Sequence, residues 1–145
     1  MAKKPTLAID DTPTEFPPIE LTARSNGNNV TVQIGTPTAD PEKDNAIHLD
    51  FTLEEIDDPS NLAGAAWQFK SDDPERAGTL NAITLRGRAV VLEPIDVEIY
   101  FGRDGDLATI DIDGQFRWFD PPDAEAPLKV VNVSGRLLAP YPKSP

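Results

Sequence analysis

The twelve residues ATIDIDGQFRWF, 108–119, decide how the chain is read, because the Asp-Ile-Asp-Gly at their centre has two incompatible meanings. A calcium loop of the EF type needs oxygen ligands at its positions 1, 3 and 5, glycine at 6 and a bidentate glutamate at 12. With Gly114 at position 6, Thr109, Asp111 and Asp113 fall at 1, 3 and 5 and Asp120 at 12. The first ligand is wrong, the last is short, and the flanks alternate like strands where helices belong. The hairpin alternative is tested by parity, since a one-residue slip sends every side chain to the other face. A two-residue loop at Asp113-Gly114 opposes Ile112 to Gln115 and Ile110 to Arg117, mixing apolar with polar. A three-residue loop at Asp113-Gly114-Gln115 instead opposes Ile112 to Phe116, Ile110 to Trp118 and Asp111 to Arg117. Moving that loop back by one gives Gly114 the left-handed position such turns favour, but leaves Ile112 in the turn. Either odd loop buries Phe116 and Trp118, and the stretch reads as a β-hairpin.

Outward from this pair, apolar residues recur at period 2, the mark of half-buried strands. Ile19, Leu21 and Ala23 alternate with polar residues until Ser25-Asn26-Gly27-Asn28-Asn29 turns the chain into Val30, Val32 and Ile34. Ile47, Leu49, Phe51 and Leu53 follow, then Ala65, Trp67 and Phe69. A long run places Ile83, Leu85, Gly87, Ala89 and Val91 on one face, and Ile95, Val97, Ile99 and Phe101 make the next. Val131, Val133, Gly135 and Leu137 close the series. The pattern predicts an all-β domain over 19–138, an antiparallel two-sheet sandwich of jelly-roll or immunoglobulin-like type with about eight to nine strands, or alternatively a small closed β-barrel. Single helical turns are expected only at DDPSNLAG, 57–64, and DDPERAG, 72–78, where Asp, Pro and Gly supply cap, first residue and stop.

Fifteen prolines punctuate the chain. Pro5, Pro13, Pro17 and Pro18 crowd residues 1–18, and Pro140, Pro142 and Pro145 crowd 139–145. Proline lacks an amide donor, so both ends are expected to be extended arms rather than helix or inner strand.

A formal charge of −12 opposes direct binding to nucleic-acid phosphates and favours a basic partner or cations. There is no cysteine, which removes disulfides and thiolate metal sites. Without a signal-like or membrane-spanning apolar run, the expected setting is the cytoplasm, or a particle assembled there, and no membrane partner is expected. The sequons at Asn29 and Asn132 therefore carry no weight.

His48, the one histidine, falls on the polar side of its strand. It has no companion for a histidine metal centre and no Gly-x-Ser-x-Gly elbow to serve. GRDGD, 102–106, lacks the lysine and helix of a phosphate loop and reads as a connecting turn. Arg86 and Arg88 face outward, as do Asp96 and Glu98, and cross-strand pairing between them is the expectation. Trp67 and Trp118 read as core.

The chain is thus expected to be no enzyme and to hold no cofactor. Its predicted role is a structural or accessory interaction module of a larger assembly, a virion- or tail-like particle among the fitting cases. The partner is another protein or a second copy, contacted through Phe16, Pro17, Pro18 and Tyr141 of the arms and through Phe119, which the alternation leaves on the wet face. Two alternatives stand beside it. One is an acidic inhibitor or immunity-type protein covering a basic enzyme. The other is a calcium-dependent module whose loop acids Asp57, Asp58, Asp72, Asp73, Asp104 and Asp106 pool around Ca2+.

Overall fold

A computed structural model describes residues 5–40, 42–70, 82–85, 90–120 and 124–142. Ten strands form one antiparallel sheet: β1 (Thr6–Ile9), β2 (Thr12–Glu15), β3 (Glu20–Asn26), β4 (Asn29–Gly35), β5 (Ala46–Leu53), β6 (Ala66–Lys70), β7 (Ala82–Leu85), β8 (Val90–Asp104), β9 (Leu107–Phe119) and β10 (Lys129–Pro140). The order is β2-β1-β10-β9-β8-β7-β5-β4-β3, with β6 paired to β8 off this path. The fold is all-β, as the alternation predicts, and the strands form a single sheet curled into a half-barrel, with no second sheet in the pairing of the described residues. Period 2 is identical in the two architectures, so the sequence pattern does not distinguish them. What makes one sheet here is the length of β8 and β9, 15 and 13 residues, which run paired from Val91–Phe119 to Asp104–Leu107. Along its other edge β8 serves β7 at Val90–Leu92 and β6 at Asp96–Tyr100.

The decisive stretch is not a hairpin. Residues 108–119 are the body of β9, and Asp113 and Gly114 sit mid-strand, opposite Glu98 and Val97 of β8. Ile110, Ile112, Gly114, Phe116 and Trp118 share one parity, and all of them but the glycine are buried large side chains of the core. A strand through Gly114 satisfies that alternation with no turn at all. The glycine is needed because β8 is bulged: its register shifts between Pro94 and Asp96, leaving Ile95 extra, and this crowds the neighbouring strand. A Cβ on Gly114 would lie 2.5 Å from the Val97 Cα and against the Asp96 carbonyl oxygen. The same bulge makes Glu93-Pro94 part of β8 rather than a connection, and leaves Ile95 half-exposed beside buried Val97, Ile99 and Phe101. The long run expected from Ile83 to Val91 is split between β7 and β8, which pair through Leu85 and Val90. Arg86 and Arg88 lie outside the described residues, and the register partner of Asp96 is Lys70.

The hairpin actually next to β9 is at its start, where Gly105-Asp106 joins Asp104 to Leu107 with Gly105 at φ 61°. A two-residue loop with glycine first matches the right-handed twist of the strands it joins. The expected turn at Gly27-Asn28 joins β3 to β4. Asp58 caps a single 3-10 turn at Pro59–Asn61, accepting from the Ser60 amide at 2.9 Å, as the Asp-Pro spacing predicts. The second expected turn, at 72–78, is outside the described residues.

Residues 5–18, the described part of the expected arm, do not stand off from the sheet. They supply β1 and β2, joined by an Asp10-Asp11 turn with φ of 49° and 67°, and β1 is an inner strand between β2 and β10. Leu7 and Ile9 are buried. The Asp10 carboxylate accepts from the Asn132 amide at 2.8 Å, stitching the turn to β10. Prolines do not prevent this, because Pro13 lies on the outer strand, where its missing donor faces no ladder partner.

The ends of the sheet explain how it is held curled. Eight antiparallel steps separate β2 from β3 along the path, so these two edge strands run in the same direction. They are also consecutive in the chain. Glu15 and Glu20, their facing ends, are separated by five steps of backbone, at most about 17 Å. β2, residues 16–19 and β3 are therefore one continuous run, bent at Pro17, that leaves one edge of the sheet and joins the other. Among the described residues no ladder seals this seam; a covalent strap does, and β3 also approaches β10 without pairing to it.

Candidate functional site

The strap is Phe16-Pro17-Pro18-Ile19. Its two prolines cannot donate to a ladder, the chain bends at Pro17, and the outer residues anchor it: Phe16 is 2% exposed and Ile19 6%. The Phe16 amide donates to the Pro5 carbonyl at 2.8 Å, and the Asn45 side-chain amide to the Glu15 carbonyl at 2.9 Å, tying the strap to β1 on one side and to the start of β5 on the other. Beside it opens a cleft of about 1280 Å³. Both arms of the curled sheet wall it: Pro13 and the strap prolines, Leu107 and Leu138 from the ends of β9 and β10, and Leu85 of β7. Leu107 and Leu138 are 39% and 47% exposed.

The seam has a second cover, the segment 57–64. On the β3 side the Ser25 hydroxyl donates to the Asp57 carbonyl at 3.1 Å. On the β10 side Tyr141, which follows the last strand residue, donates its hydroxyl to the Ser60 carbonyl and accepts from the Ala63 amide, both at 3.0 Å. Beneath, the Gly64 amide donates to the Phe101 carbonyl at 2.7 Å and Leu62 is fully buried in the core. The Tyr141 amide in turn donates to the Asp106 carbonyl at 2.9 Å, and the Arg103 guanidinium lies 4.3 Å from the centre of its ring.

These contacts relocate the expected contact residues. Phe16 is a core residue of the strap that lines the cleft from within it, beside the more exposed Pro17 and Pro18. Phe119 faces outward as parity requires but is fully buried, together with Glu93 and Arg117, which oppose each other on the same outer face of β8 and β9. It is no surface contact. Tyr141 is half-buried and spends both hydrogen-bonding capacities of its hydroxyl within the chain. Leu107 and Leu138 were not singled out by sequence; the available signal is Leu137-Leu138, since neighbours on a strand cannot both face inward.

Tyr141 also brings together two of the acidic loops, the Asp57-Asp58 segment and the Asp104–Asp106 turn. All four of Asp57, Asp58, Asp104 and Asp106 are exposed. Asp58 Oδ1 is engaged by the amide and hydroxyl of Ser60, and at the turn the Arg103 Nε donates to the Gly105 carbonyl at 2.9 Å. Among the described residues no three carboxylates or histidines gather closely enough to hold a metal ion. Asp72 and Asp73 lie outside the described residues. Asp111 faces not Arg117 but Arg136 of β10, which grips it in a two-pronged pair at 2.7 and 3.1 Å; that hydrogen bond, with the attraction of the carboxylate, raises the Arg136 pKa.

One electrostatic feature on the outer face is unfavourable. Glu98 of β8 and Asp113 of β9 are both exposed and directly opposite each other, an arrangement that costs stability. His48 is exposed, as its strand position predicts. No described helix is long and apolar enough to cross a membrane. Compared with protein-family models, with curated proteins and with solved structures, the chain matches none of them.

Proposed function

We propose that this chain is a non-enzymatic, β-rich interaction module, a structural or accessory component of a larger assembly, and that it self-associates through the cleft beside the strap. The observation that carries this reading is the cleft: about 1280 Å³, with two leucines left 39% and 47% exposed between proline walls. Apolar surface of this kind, rimmed by polar groups, marks protein contact. Prolines are already ordered before docking, so little further entropy is lost there. The ionisable side chains along the cleft are Glu15, Lys43 and Asp44. Asp44 accepts from the Asp40 amide at 2.9 Å and Lys43 lies 3.8 Å from the Asp40 carboxylate, which ties both to shaping their loop. Sedimentation velocity of the full chain over a range of concentrations tests the proposal. Reversible association that Leu138→Asp abolishes, with an unchanged circular-dichroism spectrum, is expected. A monomer throughout, or association indifferent to Leu138→Asp, refutes it.

A second reading, an acidic inhibitor of a basic enzyme, is supported by the opposed Glu98 and Asp113 on the outer face and by the charge of −12. A basic partner would relieve that repulsion. The two readings separate by salt, because an association steered by charge slows steeply as ionic strength rises whereas an apolar one does not.

A further inference from the structure

We propose that Tyr141 is the latch of a releasable cover, residues 57–61, that shields the backbone edge of β3. The β3–β4 hairpin fixes which groups that edge presents. Its loop is Gly27-Asn28, so Asn26 and Asn29 form the bonded pair beside the turn. In an antiparallel ladder bonded and non-bonded pairs alternate, so Glu20, Thr22 and Arg24 bond to β4, and Leu21, Ala23 and Ser25 present their amides and carbonyls to the other side. Among the described residues no strand pairs there. The two edges of the sheet are not protected alike. β2 is four residues long with Pro13 in it, whereas β3 has seven residues, no proline and no lysine. A bare edge of that kind is a template for strand addition, and folded proteins cover it.

Here the cover is a segment of the same chain. Its Pro59–Asn61 turn lies against β3, and the segment is held to β3 by the Ser25 hydroxyl, to the opposite side of the seam by Tyr141, and from beneath by buried Leu62 and the Gly64 amide on the Phe101 carbonyl. The Tyr141 grip is suited to release. It consists of one hydroxyl making two hydrogen bonds, it comes from the tail beyond β10, and its removal leaves every ladder of the sheet intact. Opening the latch frees the outer part of the cover, residues 57–61, while Leu62 and Gly64 stay anchored in the half-barrel, so the device sets how often the β3 edge meets solvent or an incoming strand.

Hydrogen exchange of the full chain, read amide by amide, tests the proposal with Tyr141→Phe, which keeps the ring under Arg103 and removes only the hydroxyl, and with Ser25→Ala, which removes the other tether. In the wild-type chain the Leu21 and Ala23 amides, with no acceptor among the described residues, are expected to exchange more slowly than a free peptide because of the cover and of β10, which approaches β3 without pairing to it. In Tyr141→Phe the Ala63, Leu21 and Ala23 amides should speed up together, about tenfold for two lost hydrogen bonds, while Ile110 and Ile112 in β9 stay unchanged. Ser25→Ala should accelerate the same amides by a smaller factor. Leu21 and Ala23 exchanging at the free-peptide rate in the wild type would overturn the proposal. So would unchanged exchange at Ala63 in Tyr141→Phe, or equal acceleration of every amide in either variant.

Discussion

Gly114→Ala puts the reading of β9 to its hardest test. On the central strand pair, Gly114 is opposite Val97 of β8 and Val133 of β10, and its missing side chain would point among Ile112, Phe116 and the bulge. The added Cβ would meet the Val97 Cα at 2.5 Å and its Cγ2 at 3.0 Å. The first of these is backbone, pinned by ladders on both sides of β8, so relief requires the two longest strands to part rather than a side chain to turn. Overpacking a dense interior costs about 1–3 kcal/mol, and the upper end applies where backbone must move. Against it stands roughly 0.5–1 kcal/mol recovered because alanine loses less chain entropy in a strand than glycine. The net is a destabilisation of about 2 kcal/mol. With a urea dependence of about 2 kcal/mol/M, the unfolding midpoint followed by tryptophan fluorescence moves down by about 1 M. Trp118 on β9 and Trp67 on β6 report from both sides of β8, and the two probes should give one transition. An exposed turn glycine would cost only about 1 kcal/mol on replacement. A midpoint shift under 0.5 M, or any gain in stability, would refute the claim that β8 crowds this position.

Two further substitutions check other parts of the structure. Phe16→Ala removes a strap anchor that is 2% exposed, so a loss of about 3–5 kcal/mol is expected, measured by urea unfolding; a loss below 1 kcal/mol would mean that the strap is not seated in the core. Glu98→Lys replaces a like-charged cross-strand pair by an opposite-charged one and should raise stability by roughly 0.2–1 kcal/mol at low salt, the gain shrinking as salt is added; a loss of stability, or a gain insensitive to salt, would show that Asp113 does not sense its neighbour.

The strands were legible in the sequence because burial on one face is written in period 2, and every inward residue from Leu21 to Leu53 occupies the face its parity assigns. Punctuation was less legible. Asp-Gly occurs at 104–105 and again at 113–114, identical in composition, yet one is a turn and the other the middle of a strand. Dipeptide chemistry favours a turn at both. Parity distinguishes them, since it runs unbroken through Gly114, but the reason a glycine stands there belongs to Ile95, nineteen positions earlier, whose bulge is a property of strand pairing. The edges were illegible for a related reason. Prolines at the start of the chain announce a segment that cannot lie inside a ladder, and this holds for Pro13, Pro17 and Pro18 individually. It does not follow that the segment leaves the domain, because Leu7 and Ile9 between the prolines pair and bury.

The candidate site follows from how the sheet ends rather than from any motif. A sheet that curls this far brings its first and last strands together, and the hydrogen bonds of those edges must be paired, capped or covered. This chain uses three different means: a proline in β2, a covalent strap between the edges, and a loop fastened by Tyr141. None of the three completes a ladder, so the seam keeps space that a closed barrel would have filled with side chains. The cleft beside Pro17 and Pro18 is that space. Leu107 and Leu138 border it because strands β9 and β10 end there, Pro140 opposite Leu107, and a strand end has no further neighbour to bury its outward residues. Closing the seam this way and leaving apolar surface exposed are thus one structural fact. A variant that sealed β3 to β10 by a true ladder would be expected to lose the cleft, and with it the self-association assigned to it here.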